Sequence, residues 1–293
     1  MPTSTRASTT LEIVAAVPRL RRRLLAERRL SIGLILMGLF ILGGLLAPIL
    51  APYDPLKQDY RRMLAPPDVV HLLGTDEFGR DILSRLLYGG RISLLVAGGG
   101  VAMAGGIGVP LGLLAGYYGG LTAAGLMRLT DVAMAFPPIL LAISVVALFG
   151  PGLTNLAVVI GVTYFPRFAR LAYVATLSVK TSLFVEAGRA LGASGGRILK
   201  KHISPNIAAP ILVEVSLALG FGILLESGLS FLGLGAQPPS PSWGLMVADA
   251  RQVMSQMPFY LLWPSLAVAG AILAFNLLGD GMRDALDPRL RGH

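Results

Sequence analysis

The charges of this 293-residue chain are so unevenly placed that seven stretches contain no Asp, Glu, Lys or Arg: 30–53, 92–127, 132–166, 203–213, 215–225, 227–248 and 252–279. About 20 apolar residues in a helix cross the hydrocarbon core of a bilayer. Leu30–Leu50 and Ile92–Gly116 each meet that length. The run 132–166 is too long for one crossing, and Gly150-Pro151-Gly152 divides it into a hairpin of Val132–Phe149 and Leu156–Val174. Ala208–Leu225, interrupted by Glu214, makes a fifth span and Tyr260–Leu278 a sixth. The run 227–248 contains Pro238, Pro239 and Pro241 and reads as a surface loop, with Trp243 suited to the membrane interface. The expected fold is therefore all-α and polytopic, with six transmembrane helices. Its parts are a basic tail at 1–29, an anchor helix at 30–50, an external segment at 51–91, a core of five helices at 92–279 and a C-tail at 280–293. A cleaved signal is the alternative for the first span, but its apolar core is long and no small-x-small site follows.

Only 14% of the residues are charged, too few to coat a soluble domain of this size. The net charge of +9 would suggest nucleic acid on a soluble fold. Here it sorts by side: 18 Lys and Arg fall in the tails, the 117–131 turn and the 167–206 loop, against 7 in 51–91 and 230–258. The positive-inside rule then puts both termini in the cytoplasm and gives no reason to expect nucleic acid. The Arg-rich start (Arg19, Arg21, Arg22, Arg23, Arg28, Arg29) reads as a topology determinant beside anionic lipid.

Several chemistries have no residues to carry them. Cys is absent, and His71, His202 and His293 are scattered without metal-ligand spacing. No GxxxxGK(S/T) phosphate loop occurs. The chain is expected to do no bond chemistry and to bind no cofactor. If it drives transport with ATP, a partner must bind the nucleotide.

The loop 176–206 carries Glu186-Ala187-Gly188-Arg189-Ala190-Leu191-Gly192, then Pro205-Asn206 thirteen residues after Gly192. Phe184, Ala187 and Leu191 fall on one helical face, and Gly192 can end the helix. This resembles the EAA loop of binding-protein-dependent ABC importer permeases, which docks as a short helix into a groove of the ATPase. Gly188 replaces the family's second Ala, and His202 and Ser204 stand where Ile and Leu are usual; the His narrows the resemblance to the peptide-transporting branch. The plain alternative is an amphipathic loop between spans.

The resemblance extends further. HLLGTDEFGRDILSRLLYGGRISLL (71–95), RLTDVAMAFPPILLAI (128–143), ESGLSFLGLGAQPPSPSWG (226–244) and FNLLGDGMRDALDPRL (275–290) are similar, in order, to segments of dipeptide, oligopeptide and nickel permeases of the second, or C, type. It implies the type I importer permease fold, a bacterial inner-membrane location and a homologous permease as heterodimer partner. It also implies two ATPase subunits holding ATP and Mg, and an external binding protein. The implied cargo is di- or oligopeptide, with nickel chelates and glutathione open. The coupling residues it implies are Glu186, Ala187, Gly188, Gly192, His202, Pro205 and Asn206.

Other polar residues carry two readings each. Glu214, inside a span, is either a pathway residue for a substrate ammonium group or the partner of an Asn or Arg on another span. Glu226 reads as interfacial, or as a contact for the binding protein. Asp76, Glu77, Arg80 and Asp81 cap and pair locally, or touch the binding protein or an external gate. Arg128 and Asp131 read as a local pair, and Arg167 and Arg170 as snorkelling ends. Gly100, Ala104, Gly108, Gly112 and Gly116 form a small-residue ridge for packing within the chain or against another subunit. Two rivals to the importer are a proton-coupled carrier using Glu214 and a membrane scaffold without transport.

Overall fold

The structure, a computed structural model, describes residues 28–286; 1–27 and 287–293 lie outside it, and with them most of the basic tail and the end of the C-tail. Helices account for nearly all of the membrane part: α1 (Arg28–Leu45), α2 (Ala47–Leu50), α3 (Ile82–Tyr118), α4 (Gly120–Met134), α5 (Pro138–Phe149), α6 (Leu153–Val179), α7 (Leu183–Ala190), α8 (Gly195–Ile198), α9 (Ser204–Phe231), α10 (Trp243–Gln252) and α11 (Pro258–Leu286). Among the described residues no strand forms; one isolated bridge joins Thr75 and Asp81. Five helices are long and apolar enough to cross a membrane, and a sixth span is reached if α4 and α5, bent by 83° at their break, count as one.

The centre of the bundle is the contact of α3 with α6. These helices run parallel, and the ridge Gly100, Ala104, Gly108, Gly112 and Gly116 is buried between them. A Cβ on Gly108 would stand 2.3 Å from Phe165 O, and one on Gly112 2.2 Å from Ala169 O. Lipid supplies little apolar drive for helix association, so backbone approach of this kind is a main source of it. Of the two readings of the ridge, packing within the chain is the one the structure shows. Around it Leu156, Val159, Ile160, Tyr164, Phe168, Ala218 and Leu229 form the core. Helix α1 lies antiparallel along α11, where Gly33 abuts the backbone of Leu277 and Leu278, and Gly281 that of Leu30.

Five of the six expected spans are present as long helices, and most of these helices outrun their expected bounds. Helix α3 begins at Ile82, ten residues before the expected start, and takes in Arg85 and Arg91. It starts there because Asp81 caps it, accepting from Ser84 N at 2.8 Å and Ser84 Oγ at 2.7 Å. Helix α9 runs through Glu214 and past Leu225 to Phe231. The expected span Val132–Phe149 is not one helix: Ala135, Phe136 and Pro137 break it, and Pro138 opens α5. Proline has no N–H and fixes its φ, so Pro137-Pro138 can begin a helix but not continue one.

The run 227–248 is a loop only in part, since α10 begins within it. Trp243 is not at the membrane interface. It is 3% exposed, donates from Nε1 to Leu86 O at 3.0 Å, and lies edge-on to Phe40. Gly90 makes room for it, because a Cβ there would meet the indole at 2.7 Å.

Candidate functional site

At the bundle end where α3 and α6 finish, α7 and α8 form a small layer on the membrane helices. Val185, Ile198, Ile203 and Ile207 bury against Ala172 to hold it. Helix α7 turns Val185 and Gly188 inward, leaving Leu183, Phe184, Glu186, Ala187 and Leu191 exposed. Phe184, Ala187 and Leu191 thus share an exposed face, as their spacing predicts. Gly192, at φ +78°, ends the helix: Ala193 N donates to Gly188 O at 3.0 Å and Gly192 N to Arg189 O at 2.9 Å. This is the Schellman stop, in which a left-handed residue lets the last carbonyls find donors. His202 packs under α7, near Gly188 and the Phe184 ring, and its carbonyl accepts from Asn206 Nδ2 at 2.6 Å. Pro205 opens α9, and both Pro205 and Asn206 are exposed. The guanidinium of Arg189 lies over Tyr117 at the end of α3, tying the layer to the central helix pair.

The opposite end is built on buried charge. Asp76, Arg80 and Asp81 are almost wholly buried and make the caps and pairs of this end. Asp76 accepts from the backbone N–H of Phe78 and Arg80 at 2.9 Å and pairs with Arg80 Nε at 2.6 Å. Arg85 Nε lies 3.3 Å from the same Asp76 oxygen, and its Nη2 lies 3.9 Å from Asp249 Oδ2 on α10. Asp81 also pairs with His71 Nδ1 at 2.9 Å. Glu77, part-exposed and 3.1 Å from Arg80 Nη2, is held above the usual carboxylate range by burial, helped by neighbouring Asp76. Burial likewise raises the Asp249 carboxyl.

Glu226 is neither interfacial nor exposed. It is fully buried, and the hydroxyls of Ser93, Ser227, Ser230 and Ser242 surround its carboxylate. Three of those hydroxyls accept in turn from backbone N–H groups: Ser93 from Trp243, Ser230 from Ala236 and Ser242 from Leu245. One carboxylate therefore fastens the Pro-rich loop to α3 and α9. A buried carboxylate is tolerable when hydroxyl donors replace its water.

Glu214 finds the partner that one of its readings called for, an Arg on another span. Arg167 Nε of α6 lies 2.6 Å from Glu214 Oε1, an ion pair between the two helices. Asp131 does not pair with Arg128; it pairs with Arg170, one turn beyond Arg167 on α6. Asp249 and the serine cage were not singled out by sequence reasoning, and Arg167 was read as a snorkelling end rather than as a partner for Glu214. The one signal available was that an unpaired charge inside an apolar helix needs a partner somewhere.

Helices long and apolar enough to cross a bilayer, with α7 and α8 layered on one end, are the architecture of a polytopic membrane protein. The chain belongs to the family described as binding-protein-dependent transport system inner membrane component, which matches residues 108–292. Residues 19–67 also match the N-terminal TM domain of oligopeptide transport permease C. A dipeptide transport system permease protein DppC of Alkalihalophilus pseudofirmus is 42% identical over 91% of this chain and 88% of its own. A glutathione transport system permease protein GsiD of Pectobacterium atrosepticum is 48% identical over 84% and 82%. A di/tripeptide transport system permease protein DppC of Pseudomonas aeruginosa is 41% identical over 88% of each. Among solved structures, a chain of the MetNI methionine ABC transporter in an inward facing conformation shares the fold, with TM-score 0.57, 18% identity, and 69% of this chain and 97% of that one covered. The chain is thus a multi-pass inner-membrane permease subunit of an ABC importer, which favours that reading over a secondary carrier.

Proposed function

We propose that this chain is one of two homologous permease subunits through which an ATP-driven importer passes peptides delivered by an external binding protein. The α7 end is cytoplasmic, and Leu183, Phe184, Glu186, Ala187 and Leu191 enter a groove of one of two ATPase subunits, which hold the ATP and Mg. Closure of the ATPases pushes α7, and Arg189 on Tyr117 together with the Val185–Ile207 core carries that push into α3, α6 and α9. Work of this kind requires only that the two ligation states of the ATPase favour different packings of the bundle. The names of the relatives support di- and tripeptides as cargo, with glutathione a peptide of the same class. The basic residues Arg189, Arg197, Lys200 and Lys201 beside α7 support the cytoplasmic assignment.

The observation that carries this reading is the exposed apolar face of α7, stopped by Gly192 at a left-handed φ. Gly192→Val puts a β-branched residue there, at a cost of about 1–2 kcal/mol in backbone strain, and misplaces Leu191. Peptide uptake by the assembled importer should fall at least about tenfold, while the chain remains in the membrane and ATP hydrolysis no longer tracks uptake. Undiminished uptake by Gly192→Val would count against coupling through α7.

A further inference from the structure

Helix α6 carries two charges, Arg167 and Arg170, on one face. Arg167 is level with Gly108 of α3, since a Cβ on Gly108 would touch Phe165 and Phe168. That depth lies well within the charge-free run 92–127. Arg167 pairs with Glu214 of α9, and Arg170 with Asp131 of α4. In this subunit the Arg167, Arg170 and Asp131 side chains are 55%, 51% and 56% exposed, while Glu214 is 10% exposed. Charges at membrane depth face protein or water rather than lipid. A second observation agrees. The α4–α5 break at Ala135, Phe136 and Pro137 follows Asp131 by one turn and is exposed too. Irregular backbone at this depth is tolerated only where it is covered by protein or lines a cavity.

The geometry points to a transient binding subsite for a zwitterionic peptide on this face, with the cargo carboxylate between Arg167 and Arg170 and its ammonium group on Glu214. The backbone positions of Arg167 and Arg170 are about 4.5 Å apart along the helix, and an extended dipeptide spans at most about 7 Å. Arg167 and Glu214 already touch, so the carboxylate and the ammonium group of one dipeptide can meet both once the pair opens. Guanidinium forks match a carboxylate bidentately. The Arg167–Glu214 contact is a pair that cargo can replace: each side chain exchanges its internal partner for the opposite charge of the peptide. With no cargo the pair closes, so neither charge stands alone.

This inference rests on the peptide-importer reading, and its test separates the two. Radiolabelled L-alanyl-L-alanine is titrated by equilibrium dialysis into the assembled importer in lipid nanodiscs, without nucleotide and with the binding protein left out. Saturable binding is expected in the millimolar range, about −4 kcal/mol. Acetylating the amino end or amidating the carboxyl end of the dipeptide should weaken it about tenfold or more. Glu214→Gln should erase the discrimination against the acetylated form but keep that against the amide, and Arg167→Gln the reverse. Each variant thus checks the other's folding. Equal binding of free and capped dipeptide by the unmodified protein, or no saturable binding, overturns the subsite and leaves two structural ion pairs. If the importer with its binding protein still takes up the dipeptide on ATP, the subsite alone has failed; if it does not, the peptide reading has failed with it.

Discussion

Gly112→Val should be the most damaging single change in the membrane part of this protein. The Cβ alone would stand 2.2 Å from Ala169 O and 2.7 Å from Ala172 Cβ, and valine adds two methyl groups beyond it. The obstacle is helix backbone, which cannot swing aside as a long side chain can. Helices α3 and α6 must separate, and every contact along the ridge from Gly100 to Gly116 loosens with them. Overpacking a core typically costs about 1–3 kcal/mol and sometimes more; with backbone as the obstacle the upper end or beyond is expected. Gly106→Val is the control. It lies on the same helix with the same loss of glycine, and a Cβ there meets nothing within 4 Å in this chain. Thermal unfolding of the purified protein in lipid nanodiscs reads the difference. Gly112→Val should melt well below the unmodified protein or fail to accumulate in the membrane, and Gly106→Val should stay close to it. Similar behaviour of the two would show that the α3–α6 contact does not organise the bundle.

The ridge also shows what a sequence can disclose. A run of small residues at helical spacing is local information, and so are the apolar runs that became the spans. What was misjudged depended on partners far along the chain. Arg85 and Glu226 were placed outside the helices because a lone charge in an apolar helix is costly, yet each is compensated by residues well removed in sequence. Arg85 has Asp249, and Glu226 has Ser93 and Ser242. Trp243 looked like an interface residue because its cover, Leu86, Gly90 and Phe40, comes from helices more than 150 residues earlier. Asp131 was matched to Arg128 by the three-residue rule, whereas α6 brings Arg170 beside it. The α4–α5 break was visible as Pro137-Pro138, but Gly150-Pro151-Gly152 was the stronger signal in the same run and took its place. Helix α7 was legible because its face, its stop and its flanking charges all lie within one short segment.

Arg85→Ala should be nearly as damaging as the change at Gly112, for the opposite physical reason. Arg85 is 1% exposed and joins four parts of the chain. Its guanidinium reaches Asp76 and Asp249, and its Nη1 donates to Pro55 O at 3.3 Å and Pro239 O at 3.4 Å. Removing it leaves two carbonyls without that donor and a cluster of acidic groups with one cation fewer, and breaking a buried pair from one side costs about 3–5 kcal/mol. The partners are not equivalent. Asp76 keeps Arg80 at 2.6 Å and two backbone donors, whereas Asp249 loses its Arg contact. Asp249 can escape by taking a proton, since burial already raises its carboxyl above the ordinary range. Asp249→Asn should therefore be mild, about 1 kcal/mol or less. Arg85→Lys should fall between the two, because a single ammonium group restores the charge but cannot span both carboxylates and both carbonyls. The expected order of melting temperatures is unmodified, Asp249→Asn, Arg85→Lys, then Arg85→Ala. An Arg85→Ala protein as stable as Asp249→Asn would mean that the charge cluster does not hold this end of the bundle together.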